Sequence, residues 1–89
     1  MQQVIKRNGK LEDFNPVKLE SSVKATCLAV HMSSKDANKV SKKITEHVSE
    51  WLKSKNEVTS TDIRQVVAKN LSKTDPHAGY LYKHHRIMG

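Results

Sequence analysis

The sequence holds one cysteine, Cys27, which excludes an internal disulfide and any cysteine-based zinc site. It has no apolar run near the roughly 20 residues that cross a bilayer, and no apolar block of the kind that forms a signal peptide. Aromatic residues are only 4% of the chain, so a base-stacking platform for single-stranded nucleic acid lacks its material. With three glycines and two prolines there is no low-complexity stretch, and no internal repeat is visible. Acidic residues are scarce as well: nine against sixteen Lys plus Arg, for a net charge of +7. The partners implied are anionic, namely nucleic acid, nucleotide, phosphate or an acidic protein. The basic residues are spread along the chain, so no disordered basic tail is expected. At 89 residues, 36% hydrophobic and 28% charged, the chain reads as one small domain over 1–89. That length suits a binding site better than a deep, water-free catalytic cavity. A cytoplasmic location is the expectation.

What is present has clear periodicity. Residues 2–14 read as a β-hairpin, with Asn8-Gly9 suited to a type I′ turn because both its central positions need positive φ. Asn15-Pro16 is a helix start, since Asn caps N–H groups and Pro at the first helical position loses no hydrogen bond. Leu19, Val23, Thr26, Cys27 and Val30 then recur at helical spacing, giving a helix over about 16–31. Ser33 or Ser34 caps a second helix over 34–53, whose stripe is Ala37, Val40, Ile44, Val48, Trp51 and Leu52. Ser60 or Thr61 caps a third over 60–72, carrying Ile63, Val66, Val67 and Leu71 inward. Asp75-Pro76 opens a fourth over 76–87 with Ala78, Leu81, Tyr82 and Ile87. The predicted fold is α+β: a short N-terminal β-hairpin or small sheet capping a four-helix bundle. Val4, Leu11 and Phe14 are expected to help close one end of it.

The densest chemistry lies in the hairpin and the first helix start. Lys6 and Arg7 are adjacent, Lys10 follows the turn, Glu12 comes two residues later, and Lys18 sits in the first helical turn. A helix N-terminus near Asn15 to Lys18 adds N–H groups and partial positive charge, a combination that suits phosphate. Glu12 can accept from a ribose hydroxyl or a base amine, or fix a lysine. The plainer alternative is a solvated hairpin whose edge charges deter aggregation. Val58 to Asp62 with Arg64 is a second candidate, although hydroxyls at a helix start most often serve as caps. The histidines do not share a metal: His84 and His85 diverge by about 100° on a helix, and His31, His47 and His77 are scattered. Cys27 and Trp51 read as core. Lys35, Lys39, Lys42, Lys43 and Lys53 read as the solvated face of the second helix, and they also have the chemistry to touch a phosphate backbone. No glycine-rich phosphate loop, Walker lysine motif or Ser-His-Asp arrangement is present.

Val4-Ile5-Lys6-Arg7-Asn8-Gly9-Lys10-Leu11-Glu12-Asp13-Phe14, followed by Lys18-Leu19, resembles the opening of an ATP-cone domain. Val58-Thr59-Ser60-Thr61-Asp62-Ile63 is similar to that family's third helix start. Ala78, Tyr80, Tyr82 and Lys83 resemble its closing region, with Lys83 where the family has Arg. The resemblance spans nearly the whole chain. It implies a regulatory module in which a nucleotide is held between hairpin and helices, as at the N-terminus of ribonucleotide reductases and in a zinc-ribbon repressor of their genes. Carried over, Lys6 and Arg7 match the phosphate-binding pair, and Glu12 matches the acidic residue after the turn. Asn15 and Lys18 match the pocket residues of the first helix, and Ser60 the hydroxyl of the third. Arg64 falls where another contact lies, and Val4 and Ile5 offer backbone and apolar contact to the base. Arg86 is the nearest candidate for the family's C-terminal basic contact.

The resemblance therefore implies ATP or dATP as effector, with Mg2+ as an option alongside the phosphates, and no catalysis. Neither a reductase barrel nor a zinc ribbon fits in this sequence, so the expectation is a stand-alone module acting on ribonucleotide reductase, another protein or its own copies, with an excised domain as the alternative. Two rivals come from other classes. A small basic nucleic-acid-binding protein would use the same charge on phosphate backbone. A structural module would pair its hairpin with a partner.

Overall fold

A computed structural model describes residues 3–6 and 9–84. Strands β1 (Gln3–Ile5) and β2 (Leu11–Asp13) are followed by helices α1 (Pro16–Ala29) and α2 (Ser34–Lys53). Strand β3 (Val58–Thr59) leads directly into α3 (Ser60–Thr74), and α4 (Pro76–His84) follows. The class is α+β, with a small sheet over four helices. α1 packs mainly on α2, and α3 on α4.

The sheet has the order β2-β1-β3. β1 pairs antiparallel with β2, Val4 opposite Glu12 and Ile5 opposite Leu11. It pairs parallel with β3, Val4 beside Val58 and Ile5 beside Thr59. Side chains of paired residues share a face. Val4 and Val58 are both buried, so their face is the one turned to the helices. Leu11 shares the other face with Ile5 and is 59% exposed, so it does not help close the bundle as expected. Val4 lies in the core and Phe14 packs half-buried against it.

The hairpin turn also differs from the type I′ expectation. Lys6 N–H donates to the Lys10 carbonyl at 2.8 Å, and Gly9 N–H donates to the Lys6 carbonyl at 2.9 Å. The connection is thus residues 7–9, with Gly9 at its end and at φ 82°. In a three-residue loop of this kind the last position is left-handed, which glycine adopts without a Cβ clash.

Capping sets the helix starts. The Asn15 side chain accepts from Lys18 N–H, and Ser33 accepts from Asp36 N–H. For α3 the cap is Thr59, not Ser60 or Thr61. Thr59 has the extended backbone that a cap requires, and it exchanges reciprocal bonds of 3.0 Å with Asp62 in a capping box. Asp75 Oδ1 accepts from His77 and Ala78 N–H at the start of α4. α1 ends at Ala29 rather than His31, because His31 turns left-handed at φ 66° and Met32 N–H folds back to the Cys27 carbonyl. The expected end of α4 beyond His84, with Ile87, lies outside the described residues.

The core is built from Leu19, Val23, Cys27, Ala37, Ile44, Val48, Leu52, Ile63, Val67, Leu71, Ala78 and Tyr82, with Val4 and Val58 from the sheet. Ser22, Thr26, Ser41 and Thr45 are buried with them, each hydroxyl donating to a carbonyl of its own helix. Ser22 Oγ also lies 3.1 Å from the Tyr82 hydroxyl, joining α1 to α4.

Gly79 lets α4 lie close to α3. A Cβ there would collide with Ser72 Oγ and sit 2.8 Å from the Ala68 carbonyl oxygen. Rotating the serine relieves only the first clash. Gly79→Ala is therefore expected to destabilise the fold by about 1–3 kcal/mol, as overpacking does, in chemical denaturation. Unchanged stability in that variant would mean the helices are not so closely docked.

Candidate functional site

Burial of Val4 decides which way the hairpin charges point. Lys6 lies two residues on from Val4, and alternation brings it to the same, helix-facing side. Glu12 is the cross-strand partner of Val4 and joins that side from β2. Lys6 and Glu12 are then diagonal neighbours, and Lys6 Nζ meets Glu12 Oε2 at 2.7 Å. Both side chains remain partly open, at 33% and 47% exposure, so the pair lines a surface a ligand can reach.

The start of α1 completes this surface. Hydrogen bonding from Lys6 holds the Glu12 carboxyl below its ordinary range. A smaller desolvation effect opposes that, and the charges of Lys6 and Lys18 reinforce it. Lys18 therefore sits within electrostatic reach of Glu12, one turn into α1. The first turn of α1 carries no acidic residue, so nothing there offsets the positive helix end. Asn15 caps that turn through its side chain, bonding the backbone of Lys18 at 3.1 Å.

The parallel β1–β3 pairing adds a second wall. Both strands run the same way, so the chain leaving Ile5 and the chain leaving Thr59 emerge at one end of the sheet. Lys6 thus leaves β1 beside Ser60, the half-buried first residue of α3. Arg64 is one turn further along α3 and its charge reaches Tyr82, whose hydroxyl is otherwise pushed up in pKa by burial.

Lys6 and Glu12 are brought into contact, Lys18 lies within reach of the Glu12 charge, Asn15 bonds the Lys18 backbone, and Ser60 lies across the sheet end. Val4 contributes a buried side chain to the core. Ile5 pairs with Leu11 and Thr59, and its side chain lies on the opposite face from Lys6 and Glu12. Arg7 and Arg86 lie outside the described residues. Strand β3 was not expected, because a two-residue strand carries no period of its own. Thr59 escaped notice for the same reason, although Thr59 and Asp62 are a legible capping-box pair. Among the described residues, no group of three His, Cys, Asp or Glu gathers to hold a metal ion, and no helix is long and apolar enough to cross a membrane.

The depressed Glu12 pKa has a testable consequence. A carboxyl whose pKa is lower folded than unfolded stabilises the fold above its unfolded pKa, and the effect disappears as pH falls through the folded value. Carboxyl NMR titration is expected to show Glu12 moving up toward its ordinary pKa in Lys6→Ala, with a smaller upward move in Lys18→Ala. No movement in Lys6→Ala would break the assignment of the pair.

The family model of the ATP cone domain matches residues 2–86. No curated protein matches the chain. ATP-cone domains are regulatory modules that bind adenine nucleotides as effectors. A match over nearly the whole sequence, on a fold that joins two lysines and a carboxylate at a helix start, shows that the chain belongs to the ATP-cone family.

Proposed function

We propose that residues 1–89 act as one domain that binds ATP or dATP at the Lys6–Glu12–Lys18 surface and passes the occupancy of that site to a partner. The observation that carries this reading is the convergence of Lys6, Glu12 and Lys18 on the first turn of α1. A triphosphate brings about four negative charges, and burying them without cations is prohibitive. Lys6, Lys18 and the N–H groups of α1 are the groups that would hold it, with Arg7, next to Lys6 in sequence, adding charge and Mg2+ neutralising what remains. The Glu12 carboxylate repels phosphate, so its chemistry suits the sugar hydroxyls at the other end of the ligand. One hydroxyl separates ATP from dATP, and an acceptor beside it discriminates strongly. Asn15 fixes the α1 start, and Ser60 and Arg64 offer polar contact from α3. Val4 and Ile5 form the strand that carries Lys6.

The output proposed is allosteric and not catalytic: control of a ribonucleotide reductase in the cytoplasm, or of another protein, or nucleotide-dependent self-association. Differential scanning fluorimetry tests the binding. At a hundredfold excess over Kd, a ligand of the native state adds about 2.7 kcal/mol. ATP and dATP are expected to raise Tm by several degrees, GTP by much less, and Lys6→Ala and Lys18→Ala to lose most of the shift. An equal rise in Lys6→Ala would sink the site. Light scattering with dATP separates the outputs: a mass increase supports self-association, while binding at constant mass directs the signal to a different protein.

A further inference from the structure

Helix α2 carries a second cationic surface that the nucleotide site does not use. Lys35, Lys39, Lys42 and Lys43 are all exposed. On a helix they fall within an arc of about 100° and span about 12 Å of axis. Asp36 is the sole carboxylate in that stretch, and it lies at the arc's edge, where its own N–H bonds the Ser33 cap. None of the four lysines makes an ion pair among the described residues. The acids of the same helix come later, and there Lys53 is paired with Glu50 at 2.9 Å. The lysines occupy the half of α2 where the helix end is already positive, so they raise the potential at a cost to the helix rather than supporting it.

This half of α2 is remote from the nucleotide surface. α1 starts at the sheet and runs about 21 Å away from it. α2 begins at that far end and returns, since its C-terminus leads to β3 in the sheet. The lysine face is therefore at the opposite end of the bundle from Lys6 and Lys18.

The chemistry of the face selects its partner. Protein interfaces are anchored by buried aromatic, Met or Arg side chains and are depleted in Lys. Among the described residues the exposed large hydrophobic ones are Leu11, Val17, Leu28 and Tyr80, none of them on α2. Four flexible point charges with no anchor and no arginine fork match a polyanion of regular spacing, and duplex nucleic acid offers one charge per about 1.7 Å of axis. We infer that the Lys35–Lys43 face of α2 binds the phosphate backbone of double-stranded nucleic acid, with no base readout.

The probe is a fluorescently labelled 24-base-pair duplex of mixed sequence, followed by anisotropy with the full chain at 50 and 200 mM KCl. Up to four neutralised phosphates give a slope of log affinity against log salt of about −3.6, and so a loss of about a hundredfold between the two conditions. A second duplex of unrelated sequence is expected to bind within a factor of about two, as backbone contact requires. Two paired variants separate location from net charge. Lys39→Gln with Lys42→Gln is expected to weaken binding at least about tenfold and to flatten the slope by about 1.8. Lys69→Gln with Lys73→Gln removes the same charge from α3 and is expected to have a small effect. Equal loss in both pairs, or no salt dependence, overturns the inference. Tighter retention of poly-glutamate than of the duplex also overturns it and assigns the face to an acidic protein. The ATP thermal shift of Lys39→Gln with Lys42→Gln reports on the other site independently, so failure of either reading leaves the other standing.

Discussion

The burial of one valine governs the arrangement of the charged surface on the hairpin. Val4 is the point where the central strand meets the helices, and Val58 lies beside it in the same core. Strand periodicity leaves no freedom after that choice. Lys6 must come to the helix side, Glu12 must join it from the neighbouring strand, and Leu11 must face out. A slip of one residue in register would exchange these faces, burying Leu11 and carrying Glu12 away from α1. Specificity of the charge cluster is thus inherited from apolar packing, which is far stronger than an ion pair on an open surface.

The Lys6–Glu12 contact is weak as a source of stability and useful as a positioning device. Both partners are partly solvated, so their attraction is screened and offsets little more than the entropy of holding two long side chains. Its consequence lies elsewhere. A lysine held by a carboxylate keeps one orientation, and the same carboxylate sets a limit on where further negative charge can go. Lys18 and the positive α1 start, which has no acidic residue in its first turn, supply what the pair alone lacks. The surface therefore has polarity, cationic at the helix end and acidic at the β2 end, and a ligand with charge at only one end has one favoured direction on it.

Much of this could be read from residue order. The four helices follow from apolar spacing with Asn15, Ser33 and Asp75 at their starts, because capping and periodicity are local signals. Lys6, Glu12, Asn15 and Lys18 were legible for the same reason: alternation and a helix start bring them near without any long-range information. The rest depends on contacts between distant parts of the chain. Strand β3 exists only because β1 is there to pair with, so Val58 and Thr59 carry no strand signal of their own. The cap of α3 moved to Thr59 with that strand. Leu11 faces outward because its cross-strand partner, Ile5, sets its face, and hydrophobicity alone does not reveal that. The turn was misread since Asn-Gly satisfies two loop lengths, and only the register of Ile5 on Leu11 distinguishes them.

How such a surface can report its state is constrained by what lies under it. α1 bears Lys18 at its start and Ser22 one turn later, and the Ser22 hydroxyl meets the Tyr82 hydroxyl of α4 inside the core. Tyr82 also feels the charge of Arg64 on α3. The contact joins α1 to α4, and the charge of Arg64 reaches it from α3. Around it Val23, Thr26, Cys27 and Leu71 have no exposed surface, and a core of that density moves as a body or not at all. A ligand shifts such an assembly only by interacting differently with its two arrangements. Filling the surface is not enough. An anion placed at Lys6 would compete with Glu12, the carboxylate that now holds that lysine. Helix α1 carries both a charge near this surface, Lys18, and one hydroxyl of the buried contact, Ser22.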